Sequence, residues 1–254
     1  MKPTRTVKTA DTLLSVINQL QALNGAGVTE LATHLEMAKS TVHDHLMTLH
    51  EHGYVVKEDD TYYLSLRFLD HGSYTRERLA LKEAVTPPIS QLADDTEETV
   101  WFVVEERGQA VYLYREIGER GVDLVCRSGT RTGLHATAAG KVILAGYSDE
   151  RVREITDKQG FDQKTPKTIA DTETLLKDLK DIRDTGIAVT SDETNRGVKS
   201  VAVAVSGTEE IYGSVVVSGP RQRLTGEHLE DTKSLIRSAA NEIELRIDND
   251  VCFR

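Results

Sequence analysis

Residues 28–66 limit what this chain can become more than any other stretch. Val28, Leu31, Ala32 and Leu35 recur at offsets of 3, 4 and 7, the period of one buried helical face. Thr29 is placed to cap that helix. Glu36-Met37-Ala38 leaves only a short turn, which forces a second helix across the first. In the second helix Val42, Leu46 and Leu49 face inward, while Lys39, Ser40, Thr41, His43, Asp44 and Thr48 occupy the other side. Gly53 stops it by admitting a left-handed residue just past its end. Tyr54–Lys57 and Tyr62–Leu66 then read as a hairpin turned at Glu58-Asp59-Asp60-Thr61. Helix, turn, helix and wing in so short a span predict a winged helix-turn-helix. A bare helical hairpin would explain the apolar periods but not a polar helix face followed at once by a wing.

The polar face carries short donors and acceptors, the groups that hydrogen-bond base edges or phosphates when a helix N-terminus enters a major groove. Ser40, Thr41 and His43 are candidates for base contacts, with Lys39, Arg5 and Lys57 on phosphates. Thr29, Asp44 and Thr48 share the same exposed side, and Lys8 extends the basic arm of residues 1–9, which holds no acid. The same arm is equally readable as a frayed terminus. His43, His45, His50 and His52 invite a metal reading, but no two are three or four apart, the spacing that puts two ligands on one helical face. Charge opposes a simple nucleic-acid footprint. The chain carries a net charge of −10, and among the first 70 residues six basic side chains face nine carboxylates. Either the domain binds protein, or it works in concentrated salt, where a Debye length of about 3 Å at 1 M hides distant carboxylates from a phosphate backbone. The acidic tip Glu58-Asp59-Asp60 speaks against wing-to-phosphate contacts.

No apolar run reaches the length of a membrane span, no apolar leader segment is visible, and two cysteines, Cys126 and Cys252, give no disulfide framework. A cytoplasmic protein without cofactor or metal is expected. Before the helix-turn-helix, residues 10–23 form a helix with Leu13, Leu14, Ile17, Leu20 and Leu23 on one side, ended at Asn24-Gly25-Ala26-Gly27. After it, residues 67–81 look like a connecting helix, so the chain divides into 1–66, 67–81 and 82–254. In the last part a helix at about 83–95 precedes strands at about 99–105 and 110–117 and a further strand, Val122–Cys126. Asp171 to Asp184 is a helix closed by Gly186, strands follow at about 187–191, 199–206 and 211–218, and a helix runs from about Thr225 to Ile247. Strands bracketed by helices predict an α+β sheet domain.

Leu134 to Gly146 is a helix entry built from small residues. Thr137 can cap it, and Ala138, Ala139 and Gly140 leave the first N–H groups open to a carboxylate or phosphate; equally, small residues let a helix pack close on a sheet. A nucleotide loop is excluded, because six residues separate Gly133 from Gly140 and Val142 follows Lys141 where a hydroxyl would be required. There is no Gly-x-Ser-x-Gly, His-Glu-x-x-His or Cys-x-x-Cys, and Glu105-Glu106 and Glu209-Glu210 are adjacent pairs whose side chains diverge, so no enzyme is expected.

With these segments in view the chain resembles the IclR family of transcriptional regulators. The resemblance rests on Arg5-Thr6-Val7-Lys8-Thr9-Ala10, on Lys39-Ser40-Thr41-Val42, and on three later segments. Those are Leu134 to Lys141, Gly186–Val189 with Gly197–Ala202, and Ser218-Gly219-Pro220 with Leu224-Thr225. It implies a winged helix-turn-helix, a linker helix that helps dimerise, and a GAF-like effector-binding domain, in dimers or tetramers. A dimer would read a palindrome of double-stranded DNA under the control of a small-molecule effector. The resemblance also places an effector around His135, Thr137, Ala138 and Ala139, completed by Thr190, Ser200, Val216 and Ser218. Ser200 and Ser218 keep the polar character the family has there. Thr190 and Val216 depart from it, which implies a less hydrophilic or differently oriented ligand than a small oxoacid, carboxylate-bearing or sugar-derived. The rival reading is a sensor or adaptor whose winged helix binds protein.

Overall fold

A computed structural model describes residues 6–122, 126–208 and 210–252, with side chains as far as residue 248. The chain forms two compact units, Met1–Arg78 and Leu79–Arg254. In the first, α1 (Lys8–Leu23), α2 (Val28–His34) and α3 (Lys39–Glu51) precede a hairpin of β1 (Val55–Glu58) and β2 (Thr61–Leu64), and α4 (Arg67–Glu77) follows. Val16, Leu20, Leu31, Val42, Leu46, Leu49, Val55 and Tyr62 make its core. Asn24, left-handed at φ 54°, ends α1. The segment after it pairs with the wing, Ala26 N–H donating to the Tyr62 carbonyl (3.1 Å) and Tyr62 N–H to that of Ala26 (3.0 Å).

Three local expectations are corrected. Leu14 is 56% exposed, because it lies a quarter turn from the line through Leu13, Ile17 and Leu20, and Val16 takes the inner place. Thr29 is not the cap of α2: the helix begins one residue before it, with Gly27 at the cap position and no side chain on the free amides. The hairpin is tighter than expected. It pairs Val55 with Leu64 through Glu58 with Thr61 and turns on Asp59-Asp60, Asp59 at φ 51°.

Helix α4 buries none of its residues, and it ends at Glu77 rather than reaching residue 81. Its first turns are held by Tyr54, whose ring meets Phe68 edge-on (5.3 Å) and stacks on His71 (5.6 Å), with its hydroxyl 3.0 Å from His71 Nε2. Arg67 lies over the same ring at 4.9 Å and donates to the His52 carbonyl (2.7 Å).

The second unit opens with α5 (Lys82–Thr96), which carries Pro87 and Pro88 in its second turn. A proline there forfeits a helix hydrogen bond, and the burial of Val85, Pro88, Ile89 and Leu92 offsets the loss. The strands are β3 (Thr99–Glu106), β4 (Gln109–Ile117), β5 (Arg131–Gly133), β6 (Ala188–Ser191), β7 (Val198–Ser206) and β8 (Ile211–Pro220). They form one sheet in the order β5-β4-β3-β8-β7-β6, every neighbour antiparallel. One face carries Val100, Phe102, Val201, Val215 and Val217 against α5 and α9 (Gly226–Cys252). The other carries Trp101, Val103, Ala202 and Val216 against α6 (Ala138–Ala145), α7 (Asp149–Gln159) and α8 (Thr172–Thr185). An α+β domain is therefore what the chain builds. The expected strand Val122–Cys126 falls mostly on residues outside those described, and β5 and α7 are elements the sequence pattern did not announce.

Candidate functional site

The recognition helix α3 keeps Val42, Leu46 and Leu49 inside and exposes Lys39, Ser40, Thr41, His43, Asp44 and Thr48. Lys8, Thr29 and Lys57 are exposed as well, and Arg5 lies outside the described residues. Ala38 stands at the cap of α3 with no side-chain hydrogen bond, so the leading amides of the helix face outward uncapped by the chain. Two candidates are partly committed at home. Thr48 Oγ1 donates to the Asp44 carbonyl (2.9 Å), and Lys57 Nζ sits 5.5 Å over the Tyr62 ring. Of the histidines, His50 Nδ1 is 3.3 Å from the Val55 carbonyl. Among the described residues no three His, Cys, Asp or Glu side chains gather to hold a metal.

In the second unit a cavity of 240 Å³ opens between the α6 face of the sheet and the start of α6. Its sheet wall is Trp101, Tyr112, Val198, Ser200, Val216 and Ser218; its helix wall is Thr137, Ala138 and Ala139. Register explains the first wall. Thr190 opposes Ser200, Ser200 opposes Ser218 and Ser218 opposes Thr99, so four hydroxyls form a row across four strands on one face. Ser200 and Ser218 are joined at 2.8 Å between their hydroxyl oxygens. Trp101 and Val216 stand one row along, and Trp101 meets Tyr112 edge-on at 5.2 Å.

A single turn of 3-10 helix (Leu134–Ala136) delivers the chain to α6, and Thr137 caps it: Gly140 N–H donates to Thr137 Oγ1 (2.9 Å). This corrects the expectation of three open amides. Gly140 is spoken for, and its missing side chain serves packing, since a Cβ there would lie 2.2 Å from the Leu134 carbonyl oxygen. Ala138 and Ala139, in the first turn of α6, remain in the cavity lining with no side-chain cap on their amides.

Two expected residues fall outside the lining. His135 is buried behind it, its ring on Phe161 (4.8 Å) and its Nε2 3.3 Å from the Asp162 carbonyl; burial lowers its pKa. Thr190 is buried at the sheet's far strand, β6. Residues without a sequence signal complete the cavity: Cys126, Thr130, Arg131, Thr132, Lys164, Thr194 and Asn195. Among these Thr132 Oγ1 is buried with no hydrogen-bond partner. Burial pushes up the pKa of the Cys126 thiol and of the Tyr112 hydroxyl, so both keep their protons. No acid is among the described lining residues, while Arg131 and Lys164 are, each paired outside it with Glu106 and Asp162 respectively.

The segment 192–195 that lends Thr194 and Asn195 is tied down on every side. Asp192 accepts from Lys167 (2.8 Å), Gly197 N–H (2.6 Å) and Arg221 (3.0 Å), and these partners hold its carboxyl far below the ordinary range. Thr165 and Thr168 donate to the carbonyls of Asp192 and Glu193, both at 2.6 Å, and Thr194 Oγ1 to that of Ala136 (2.8 Å). Beneath α6, the buried Lys141 ammonium bridges Asp178 and Glu193 at 2.7 Å each.

A winged helix-turn-helix with its polar helix face exposed, joined to a sheet domain that holds a cavity, defines a transcriptional regulator with an effector domain. The comparisons agree in detail: the IclR helix-turn-helix domain matches residues 9–59, and the bacterial transcriptional regulator IclR C-terminal domain matches residues 74–245. This chain belongs to the IclR family. It is 31% identical over 242 residues to the probable HTH-type transcriptional regulator ArcR of Halobacterium salinarum, covering 92% of each chain. The crystal structure of the Thermotoga maritima IclR superposes with a TM-score of 0.75 at 25% identity, covering 94% of this chain and 98% of that one. An IclR homolog from Microbacterium hydrocarbonoxydans, crystallised with 4-hydroxybenzoate, shares the fold with a TM-score of 0.75 at 19% identity, covering 92% and 98%. The curated relatives are named as regulators, and regulators of this kind are not enzymes.

Proposed function

We propose that this chain is a cytoplasmic, ligand-responsive regulator that binds a palindromic operator as a dimer and is released or engaged by a small carboxylate-bearing or sugar-derived metabolite. The observation that carries the reading is the cavity. Helix-end amides at Ala138 and Ala139 seat a carboxylate, and Ser200, Ser218 and the unpartnered Thr132 hydroxyl offer bonds to ligand hydroxyls. Its size sets the scale. A cavity of about 150 Å³ holds one benzene, so 240 Å³ holds about ten non-hydrogen atoms in proportion. The 4-hydroxybenzoate held by the Microbacterium homolog is of that order. An antiparallel six-stranded sheet flanked by helices supports the GAF-like reading of the domain.

Dimerisation is supported by α4. Leu66 at its cap and Leu69 and Tyr74 along it are 82, 64 and 70% exposed, apolar side chains that a second copy of the chain would cover. With Lys39 and Lys57 on phosphates and Ser40, Thr41 and His43 at base edges, the two α3 helices of the dimer would enter successive major grooves, about 34 Å apart. The acidic balance of the chain suits concentrated salt, where binding leans on direct contacts.

Fluorescence anisotropy against the DNA upstream of the protein's own gene, in dilute and in molar salt, tests the first half. A thermal-shift screen of hydroxy acids, sugar acids and aromatic acids tests the second. Specific binding in neither salt, with no acid raising the melting temperature of the second unit, would overturn the proposal.

A further inference from the structure

We propose that Met47 is a specificity residue of the DNA-binding surface, reading the C5-methyl group of a thymine in each half-site. The inference rests on the operator-binding function proposed above and adds to it a residue and a base.

Three observations converge. First, Met47 is 42% exposed, although its sequence neighbours Leu46 and Leu49 are in the core. Of the two methionines in this unit's helix-turn-helix, Met37 packs against the core and Met47 does not. Second, its place on the helix is central, not marginal. At 100° per residue, Ser40, Asp44, Met47 and Glu51 line up within a narrow arc opposite Val42, Leu46 and Leu49, with His43 and Thr48 on its flanks. Every neighbour in that arc is polar, so Met47 is the one large apolar group in the middle of the face that meets the groove. Third, the polar groups around it are turned to other partners: Asp44 lies beside His43 (3.7 Å), the Thr48 hydroxyl is turned back onto the Asp44 carbonyl, and His50 Nδ1 is 3.3 Å from the Val55 carbonyl.

An apolar group at the centre of a groove-facing surface has one apolar partner in a major groove, the thymine methyl; the other base edges there present donors and acceptors. Methionine suits it, being unbranched and able to reach a methyl without fixing the helix tightly. Met47 stands seven positions after Ser40, a rise of about 10 Å, or about three base pairs. The thymine should therefore stand about three pairs from the base read at the helix N-terminus.

The test uses the full-length protein. An operator is first selected from random duplexes by the protein itself, and the winning sequence is then made with thymine or with uracil, which differ only in that methyl. Affinities are measured for the wild type, Met47→Gln, which keeps length and helix propensity, and Met47→Leu, which keeps an apolar tip. One buried methyl corresponds to about fourfold in affinity, hence about fifteenfold for two half-sites. The expected result is a loss of that order on uracil for wild type and Met47→Leu and little loss for Met47→Gln. Equal losses in all three proteins, or none in the wild type, would overturn the role of Met47 while leaving the operator-binding function intact. A selection that yields no preferred sequence would overturn both.

Discussion

Replacing Lys141 by Met probes how the effector domain holds its cavity together. Lys141 is almost wholly buried, and its ammonium is the shared partner of Asp178 and Glu193. The two carboxylates do not weigh equally. Asp178 is 39% exposed, although the oxygen facing Lys141 is itself buried, so water reaches that carboxylate through its other oxygen, whereas Glu193 is 14% exposed and is left as a stranded buried charge. Breaking a buried pair by removing one partner costs about 3–5 kcal/mol, and with one carboxylate half-wet the lower end applies, about 3 kcal/mol. For a unit of this size that is a fall in melting temperature of about 6–12 °C.

The deficit should depend on pH with a definite sign. Burial raises the pKa of Glu193 above its ordinary value, and Lys141 works against that rise. Without Lys141 the rise is unopposed. In the unfolded chain the carboxyl ionises near its ordinary value; in the folded variant it holds its proton to higher pH. The variant's loss is small in acid, where both states are protonated, and grows as pH climbs towards the folded pKa. Urea denaturation of the second unit at pH 5.5 and pH 8 measures this, with Glu193→Gln added to Lys141→Met as the control that recovers most of the loss. A deficit under about 1 kcal/mol at pH 8, or the same deficit at both pH values, would refute the reasoning.

Other outcomes follow from the same geometry. Gly140→Ala puts a Cβ against the backbone of Leu134, which cannot step aside, and should cost about 2 kcal/mol or more and weaken effector binding, read by thermal melts and by calorimetry. Arg223→Met leaves Glu98, which is fully buried and held by two of the three guanidinium nitrogens, with only His228 Nε2 at 3.8 Å beside it; a loss of about 3 kcal/mol is expected, partly restored by Glu98→Gln. Lys39→Ala should weaken DNA binding nearly uniformly across sequences and lower the salt slope by about one per subunit, measured by anisotropy between 0.1 and 1 M salt. Tyr54→Phe removes one hydrogen bond to His71 and should loosen the start of α4 by about 1 kcal/mol, read as faster amide exchange there.

How much was legible in the sequence varied with the range of the interactions. The helix-turn-helix was, because its apolar offsets are local and its turn is too short to permit much else. Helix α8 was equally plain, with Asp171 capping it through the Thr174 N–H and Gly186 left-handed at its end. Helix α7 escaped, since Val152 and Ile155 are its only buried aliphatics and its signals were the cap at Ser148 and Gly160. Strand β5 is three residues long and exists through its pairing with β4. The cavity was half legible. Thr137, Ala138 and Ala139 announced a helix entry, but Trp101 and Tyr112 are brought there by strand register, and Lys164, Thr194 and Asn195 by hydrogen bonds between distant segments. His135 lies outside the cavity lining because adjacency in sequence to Thr137 does not give adjacency in space.

The footing of α4 has a mechanical consequence. Tyr54 grips Arg67, Phe68 and His71, and beyond Gly72 the helix has no buried side chain to keep it wound. An eleven-residue helix is marginal in water, so covering the exposed Leu69 and Tyr74 would add to its stability. A lever stiff at its root and soft at its tip transmits torque only while clasped. Association and rigidity would then be gained together, and dilution alone would slacken the arm.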